Sequence, residues 1–204
     1  MKGYGGRILF VDLARGTSRI EPLAEETARA LLGGNGLAAR LLLDHVPAMV
    51  DAYDSANAVV FAVGPITDTT VPGNSRACVA SKSPLTGFFF DSTFGGRWPA
   101  TMKRTGFDAI VLTGAAPAPV YVKVGESGAE LKPATVLWGQ TTRDTVHAIQ
   151  AVEGAESDVL AIGPAGERLV RFACLATSGR IARAWRAAGA SAPCWEPSVS
   201  RRWR

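Results

Sequence analysis

The chain has 204 residues, 47% of them hydrophobic and 20% charged, enough for one or two small domains with a true core. Its 22 glycines and 12 prolines disfavour a helical bundle, no run reaches the roughly 18 apolar residues of a membrane span, and the N-terminus lacks a signal peptide's apolar stretch. Residues 180–204 carry six arginines against Glu196 and supply +5 of charge, so the other 179 residues sum to −1 within a net +4, which excludes a basic body built for nucleic acid. A cytoplasmic protein with no membrane partner is expected.

Arg7–Leu13 reads as a strand, Ala14–Thr17 as a turn and Ser18–Leu23 as the returning strand of a hairpin. Residues 25–32 have helical composition and stop at Gly33-Gly34. A second helix over about 37–43 carries Leu37, Leu41, Leu42 and Leu43 on an apolar face and is closed by His45. Ala58–Val63 is a buried strand ended by Gly64-Pro65. The polar loop Thr67–Ser75 delivers Arg76 into a strand over 77–81, and Lys82–Gly87 turns the chain into Phe88-Phe89-Phe90. Asp91–Gly96 is expected to open a helix that ends near Gly106. Strands are expected over 108–113, 120–124, 159–162 and 169–175, with a helix over 142–152. Strand after strand without regular βαβ alternation predicts an α+β fold, β-rich, with paired sheets and a few short helices.

The three cysteines, Cys78, Cys174 and Cys194, are scattered, no CxxC occurs, and His45 and His147 share no ligand spacing. Cys78 and Cys174 read as buried reduced thiols. No Ser/His/Asp set, HExxH or Walker loop can be assembled, so no catalytic residue is assigned. The most loaded stretch is 73–97. There Arg76 follows a Gly/Asn/Ser loop, and Thr93-Phe94-Gly95-Gly96 comes seventeen residues later. Glycines that let a ligand approach backbone amides, with an arginine as a bidentate clamp, suit a phosphorylated or pyrophosphate-bearing cofactor. Ordinary turns, with Arg76 in a structural ion pair, are the alternative. Gly163-Pro164-Ala165-Gly166-Glu167 reads as a similar nest or as a plain turn.

Several stretches resemble the N-terminal domain of the aldehyde ferredoxin oxidoreductases, the tungsten enzymes. They include Gly33-Gly34-Asn35-Gly36-Leu37-Ala38, Gly64-Pro65-Ile66-Thr67, Lys82-Ser83-Pro84-Leu85-Thr86-Gly87-Phe88, Gly106-Phe107-Asp108-Ala109-Ile110-Val111 and Gly163–Glu167, in the family's order from residue 3 to about 180. The resemblance implies a β-rich base for a tungsten bis-pyranopterin (molybdopterin) cofactor. Arg76 matches the family arginine that lies between pterin phosphate and the iron–sulfur cluster. Thr93, Gly95 and Gly96 match the segment that holds the pterin phosphates and a bridging magnesium, which assigns Thr93 as the magnesium ligand. The family commonly has Asn or Ser near Thr93 and a small residue where this chain has Phe94. The cysteines of its [4Fe–4S] cluster and its acid–base residues belong to later domains, outside this chain. The implied parent enzyme takes an aldehyde to a carboxylate and passes electrons through tungsten and the cluster to ferredoxin. Its implied partners are ferredoxin, an aldehyde and the later domains, with a homodimer left open.

On this resemblance residues 1–180 are the tungstopterin-binding domain, and 181–204 read as an out-of-frame tail. The family carries an AGRGGxGAVxG segment after the position of residue 180. Rereading the tail's codons from their third base permits such a string, with a Leu and a Gly forced by the Cys194, Trp195 and Glu196 codons. A lost base thus accounts for the tail's arginines and for Trp185, Trp195 and Trp203. A basic nucleic-acid arm and a fragment that binds no cofactor are the alternatives.

Overall fold

Arg7–Asp12 (β1) and Thr17–Pro22 (β2) pair antiparallel as the predicted hairpin in the computed structural model, which describes residues 1–177. Its turn follows from one side chain: Asp12 Oδ1 accepts from the backbone N–H groups of Ala14 and Arg15, each at 3.0 Å. Glu25–Leu31 (α1) ends at Leu32, and Gly34–His45 (α2) begins three residues earlier than the leucine pattern suggests. Leu37, Leu41 and Leu42 face the core as expected, whereas Leu43 is 80% exposed. Ala58–Val63 (β3), Ala77–Lys82 (β4) and Phe89–Phe94 (β5) form an antiparallel run. Trp98–Arg104 (α3) leads to Ala109–Thr113 (β6). Val120–Gly125 (β7) and Gly128–Pro133 (β8) make a separate ribbon, and Thr142–Glu153 (α4) follows a short 3₁₀ turn. Leu160–Ala161 (β9), the single turn Pro164–Glu167 (α5) and Ala176–Thr177 (β10) complete the described residues.

The main sheet has the order β2-β1-β6-β3-β4-β5, and β1–β6 is the one parallel pairing among the described strands. Every residue of β3 is buried, as its unbroken Ala-Val-Val-Phe-Ala-Val run requires of a strand covered on both faces. On one face Val60, Ala62, Cys78 and Val111 pack under Leu37, Ala38, Leu41 and Leu42 of α2. On the other, Val59, Phe61, Val79, Ile110 and Leu112 meet Met102 of α3, Phe107 and the inward side chains of the ribbon. The fold is therefore α+β and β-rich, as predicted, with one six-stranded sheet and two two-stranded ones among the described residues.

Three local expectations are corrected. Asp91–Phe94 extends as β5, because β4 offers a free edge that pairs Ala77 with Phe94 and Ala80 with Asp91. The helix starts only at Trp98, with Pro99 in its first turn. Residues 169–175 do not form a strand: Leu169 takes φ +58°, which breaks an extended run, and only Ala176–Thr177 pair with β9. Cys174 is exposed, in contrast to buried Cys78. The out-of-frame reading of 181–204 lies outside the described residues. No helix among the described residues is long and apolar enough to cross a membrane.

A buried carboxylate fixes the start of the sheet. Asp108, fully buried, accepts from Gly5 N at 3.1 Å and Gly6 N at 2.7 Å and pairs with Lys103 Nζ. A side chain on Gly5 would collide with the carbonyl of Gly106, so backbone contact replaces side-chain packing there. A second cluster ties the ribbon to α4: Glu153 receives Lys123 and Lys132, each at 2.7 Å, and the hydroxyl of Tyr121. These donors hold the Glu153 carboxyl down from 4.5 to about 2, while burial and the neighbouring Glu153 push the Tyr121 phenol up to about 12.

Removing one partner of a buried ion pair strands the other, so Asp108→Ala should destabilise the chain by about 3–5 kcal/mol, read from urea unfolding midpoints. Glu153 has a depressed pKa in the folded chain, so its stabilisation is complete above the unfolded carboxyl's 4.5 and is lost as pH falls towards 2. In a series of unfolding curves over that range, Glu153→Gln should lose less stability on acidification than the parent. Parallel pH profiles would refute this role.

Candidate functional site

The antiparallel registers bring three strand ends together. Val63 at the end of β3 pairs with Ala77 at the start of β4, which pairs with Phe94 at the end of β5. Gly64-Pro65, Arg76 and Gly95-Gly96 therefore share one end of the main sheet. The N-terminus of α2 reaches the same end, where a Cβ on Gly33 would stand 2.5 Å from the Val63 carbonyl oxygen. The end of β10 also arrives there: Thr177 Oγ1 lies 3.9 Å from where a Gly96 Cβ would be. That hydroxyl is buried and has no hydrogen-bond partner among the described residues.

Arg76 and Gly95 are in contact. The Arg76 Nη1 and Cδ lie 3.7 Å, and the Ser75 carbonyl oxygen 3.2 Å, from the position a Gly95 Cβ would take. No side chain separates the guanidinium from the Gly95 backbone, and this junction is the cleft of the site; the Ser75 hydroxyl donates to Gly96 O beside it. Arg76 is exposed and forms no ion pair among the described residues. An unpaired guanidinium above a glycine turn is a fit for a phosphate or pyrophosphate group. The glycines are a strand-to-helix junction and not a helix N-terminus, since α3 begins two residues later and has only seven residues.

Thr93 sits within β5 opposite Cys78 and is exposed. Strand alternation turns it to the same face as Asp91 and Gly95. On that face Asn35, from the first turn of α2, donates through Nδ2 to the Asp91 carboxylate. Phe94 points the other way and packs on Trp98 with ring centroids 5.4 Å apart, so its bulk stays out of the cleft. Among the described residues no three His, Cys, Asp or Glu side chains are grouped to hold a metal. A magnesium at Thr93 would find no protein cage there, only the Thr93 hydroxyl and, on the same face, the Asp91 carboxylate that Asn35 already bonds. Cys78 supplies no nucleophile: burial, followed by the charge of Asp91, raises its thiol to about 12. His45 is exposed at the C-terminal end of α2, edge-on to Phe10 at 4.9 Å, and His147 is exposed on α4.

Sequence reasoning missed the contribution of Asn35 and the glycines before it, which read as a helix stop. It also missed Thr177 and the loop side chains that hold Arg76. A cavity of about 210 Å³ lies elsewhere, between the main sheet and the ribbon, lined by Phe61, Met102, Ile110, Tyr121 and Leu160. Its carboxylates are already engaged, Glu153 by lysines and Asp158 by Thr101.

A sequence model of the aldehyde ferredoxin oxidoreductase N-terminal domain matches residues 8–192. The chain is 39% identical over 183 residues to a tungsten-containing aldehyde ferredoxin oxidoreductase of Pyrococcus furiosus, covering 89% of this chain and 30% of that protein. The corresponding protein of Thermococcus kodakarensis is 38% identical with the same coverage. The chain thus spans about 30% of the length of these relatives. Among solved structures, the active site complex BamBC of benzoyl coenzyme A reductase, in complex with 1,5 dienoyl-CoA, superposes with a TM-score of 0.83 at 30% identity. That match covers 87% of this chain and 27% of the other.

The two described thiols should separate in a labelling experiment. N-ethylmaleimide at pH 8, followed by peptide mapping under native conditions, should modify Cys174 and leave Cys78 free until the chain is unfolded. Equal labelling would contradict the burial of Cys78.

Proposed function

Since this chain belongs to the aldehyde ferredoxin oxidoreductase family, we propose that it is a pterin-binding N-terminal domain whose Arg76, Gly95 and Gly96 hold the phosphate arm of a tungsten bis-pyranopterin. The observation that carries this is the Arg76 guanidinium, without an acidic partner among the described residues, lying against a glycine whose Cβ would occupy the cleft. Arg76 supplies a planar charged fork, and the Gly95-Gly96 turn lets backbone amides approach phosphate oxygens closely. Thr93, on the same strand face, would offer one hydroxyl oxygen to a magnesium held with the phosphates. The relatives that the chain matches are tungsten-containing; in such a cofactor the metal would supply two-electron oxidation of the carbonyl carbon.

In the parent enzyme this would serve oxidation of an aldehyde with water to a carboxylate, electrons leaving through a [4Fe–4S] cluster to ferredoxin. The cluster ligands, acid–base groups and substrate channel then lie in the later domains, and the whole enzyme is cytoplasmic, with a homodimer compatible with it. About a quarter of a chain of the benzoyl coenzyme A reductase complex, which holds 1,5 dienoyl-CoA, shares this fold, which favours a cofactor base that leaves substrate choice to other domains. We propose residues 1–180 as the domain and a shifted frame over 181–204, against a family match that runs on to residue 192, to be checked by sequencing the gene across codons 178–204. A second frame continuing into cysteine-containing coding sequence supports the shift; an unambiguous stop in both frames opposes it.

Residues 1–204 expressed by themselves should be catalytically silent. Purified anaerobically, it should show no aldehyde-dependent dye reduction and substoichiometric tungsten, molybdenum and iron by mass spectrometry; turnover with stoichiometric metal would overturn this. Inorganic pyrophosphate should still bind, and Arg76→Ala should weaken it about tenfold in calorimetric titration, the scale of one lost charge-assisted contact. Equal affinity of parent and variant would remove Arg76 from the site.

A further inference from the structure

The loop that carries Arg76 is closed by its own side chains. Thr67, 3% exposed, donates its hydroxyl to Arg76 O at 3.2 Å and accepts from Gly64 N at 3.3 Å. Asn74 accepts from Asp68 N at 3.1 Å and donates to Thr69 O at 2.8 Å, while Arg76 N donates to Asn74 O at 2.9 Å. Asp68 sits in the left-handed region at φ +62°, which Asp tolerates better than most residues. From there its carboxylate receives Arg104 Nε at 2.9 Å and Nη2 at 2.8 Å.

Arg104 is the last residue of α3, the helix that begins two residues after Gly96. The Asp68–Arg104 pair therefore joins the loop before β4 to the segment after β5. Strand pairing fixes Ala77 against Phe94; beyond the strand ends, the pair and the Ser75–Gly96 bond tie the two halves of the cleft. We propose that Asp68 and Arg104 are positioning residues of the anion site, whose two parallel hydrogen bonds brace the 64–76 loop against α3 and hold Arg76 over Gly95. The proposal rests on the phosphate cleft described above.

The energetics favour positioning over stability. Arg104 is 70% exposed and Asp68 26%, and pairs so placed contribute about 0–1 kcal/mol to folding. A bidentate guanidinium–carboxylate contact nevertheless fixes direction as well as distance. Hydrogen bonding from Arg104 holds the Asp68 carboxyl below its ordinary value, so both partners are charged at neutral pH.

Electrostatics gives the test a sign. Deleting an acid beside an anion site raises the local potential and, by charge alone, tightens anion binding. A brace predicts the opposite. With inorganic pyrophosphate as the probe, Asp68→Ala should bind roughly fivefold more weakly than the parent. Its thermal midpoint should stay within about 3 °C. The exchanged pair, Asp68→Arg with Arg104→Asp, should restore affinity. Binding by Asp68→Ala as tight as the parent's, or tighter, overturns the proposal. If the parent binds no pyrophosphate, the phosphate cleft itself is refuted. The brace is then decided by NMR relaxation of the Arg76 Nε–H: a lower order parameter in Asp68→Ala upholds it, and an unchanged one overturns it.

Discussion

The parallel pairing of β1 with β6 is the contact on which the rest of the structure leans. It joins Ile8 to Ala109 and Asp12 to Thr113, segments far apart in the chain, and it places β6 where β3 can pair with its other edge. The buried carboxylate of Asp108 sets the register at its origin by gathering the amides of Gly5 and Gly6. A negative group buried this deeply is tolerated because two amides and Lys103 satisfy it. The same lock presses the N-terminal segment onto the sheet end: a Cβ on Gly3 would stand 2.7 Å from the Pro65 carbonyl oxygen. The turn after β3 is thereby backed from behind, on the side away from Arg76's own strand.

That end of the sheet divides its labour between rigid and adjustable parts. The strand ends of β3, β4 and β5 hold backbone positions through pairings that bury both faces of β3. The segments beyond them, 64–76 and 95–97, carry the groups that would meet a ligand. A charged side chain on such a loop keeps a fixed direction only if something beyond the sheet holds it, because each free rotamer costs binding free energy when it is frozen. Short side chains do that here. Thr67, Asn74 and Ser75 reach backbone groups within the loop or on the facing turn, and none of them extends far enough to fill the cleft.

Much of this architecture is legible in the residues, and the misses have physical causes. The β3 run and the Ala14–Thr17 turn announce themselves locally, as does the helix over 142–152, which Thr141 caps by accepting from Asp144 N. Asp91-Ser92-Thr93 has the composition of a helix cap, yet a free edge on β4 draws it into a strand; pairing outweighs propensity. The strand expected over 169–175 fails at one residue, Leu169, whose left-handed backbone no apolar pattern forecasts. Arg76 and Gly95 were placed in one loaded stretch by sequence, and both stand at the same cleft. Their contact needed the antiparallel register, which is not written in the spacing. Asn35 was hidden because a glycine-rich helix start without a side-chain cap looks like a helix end.

The long-range pairing of β1 also has a consequence for biosynthesis. Translation runs from the N-terminus, so Ile8-Leu9-Phe10-Val11 leaves the ribosome long before Ala109–Thr113 exists to cover its second edge. At about 5–20 residues per second, the interval is on the order of 5–20 s. During it β1 is held only by its hairpin with β2, a unit of marginal stability in water, and its apolar second edge is open to other chains. The β3–β4–β5 run, by contrast, is made of neighbours in sequence and can assemble as it emerges. The period of greatest exposure to misassembly is therefore set by where β6 lies in the message, and it closes when Asp108 meets Gly5 and Gly6.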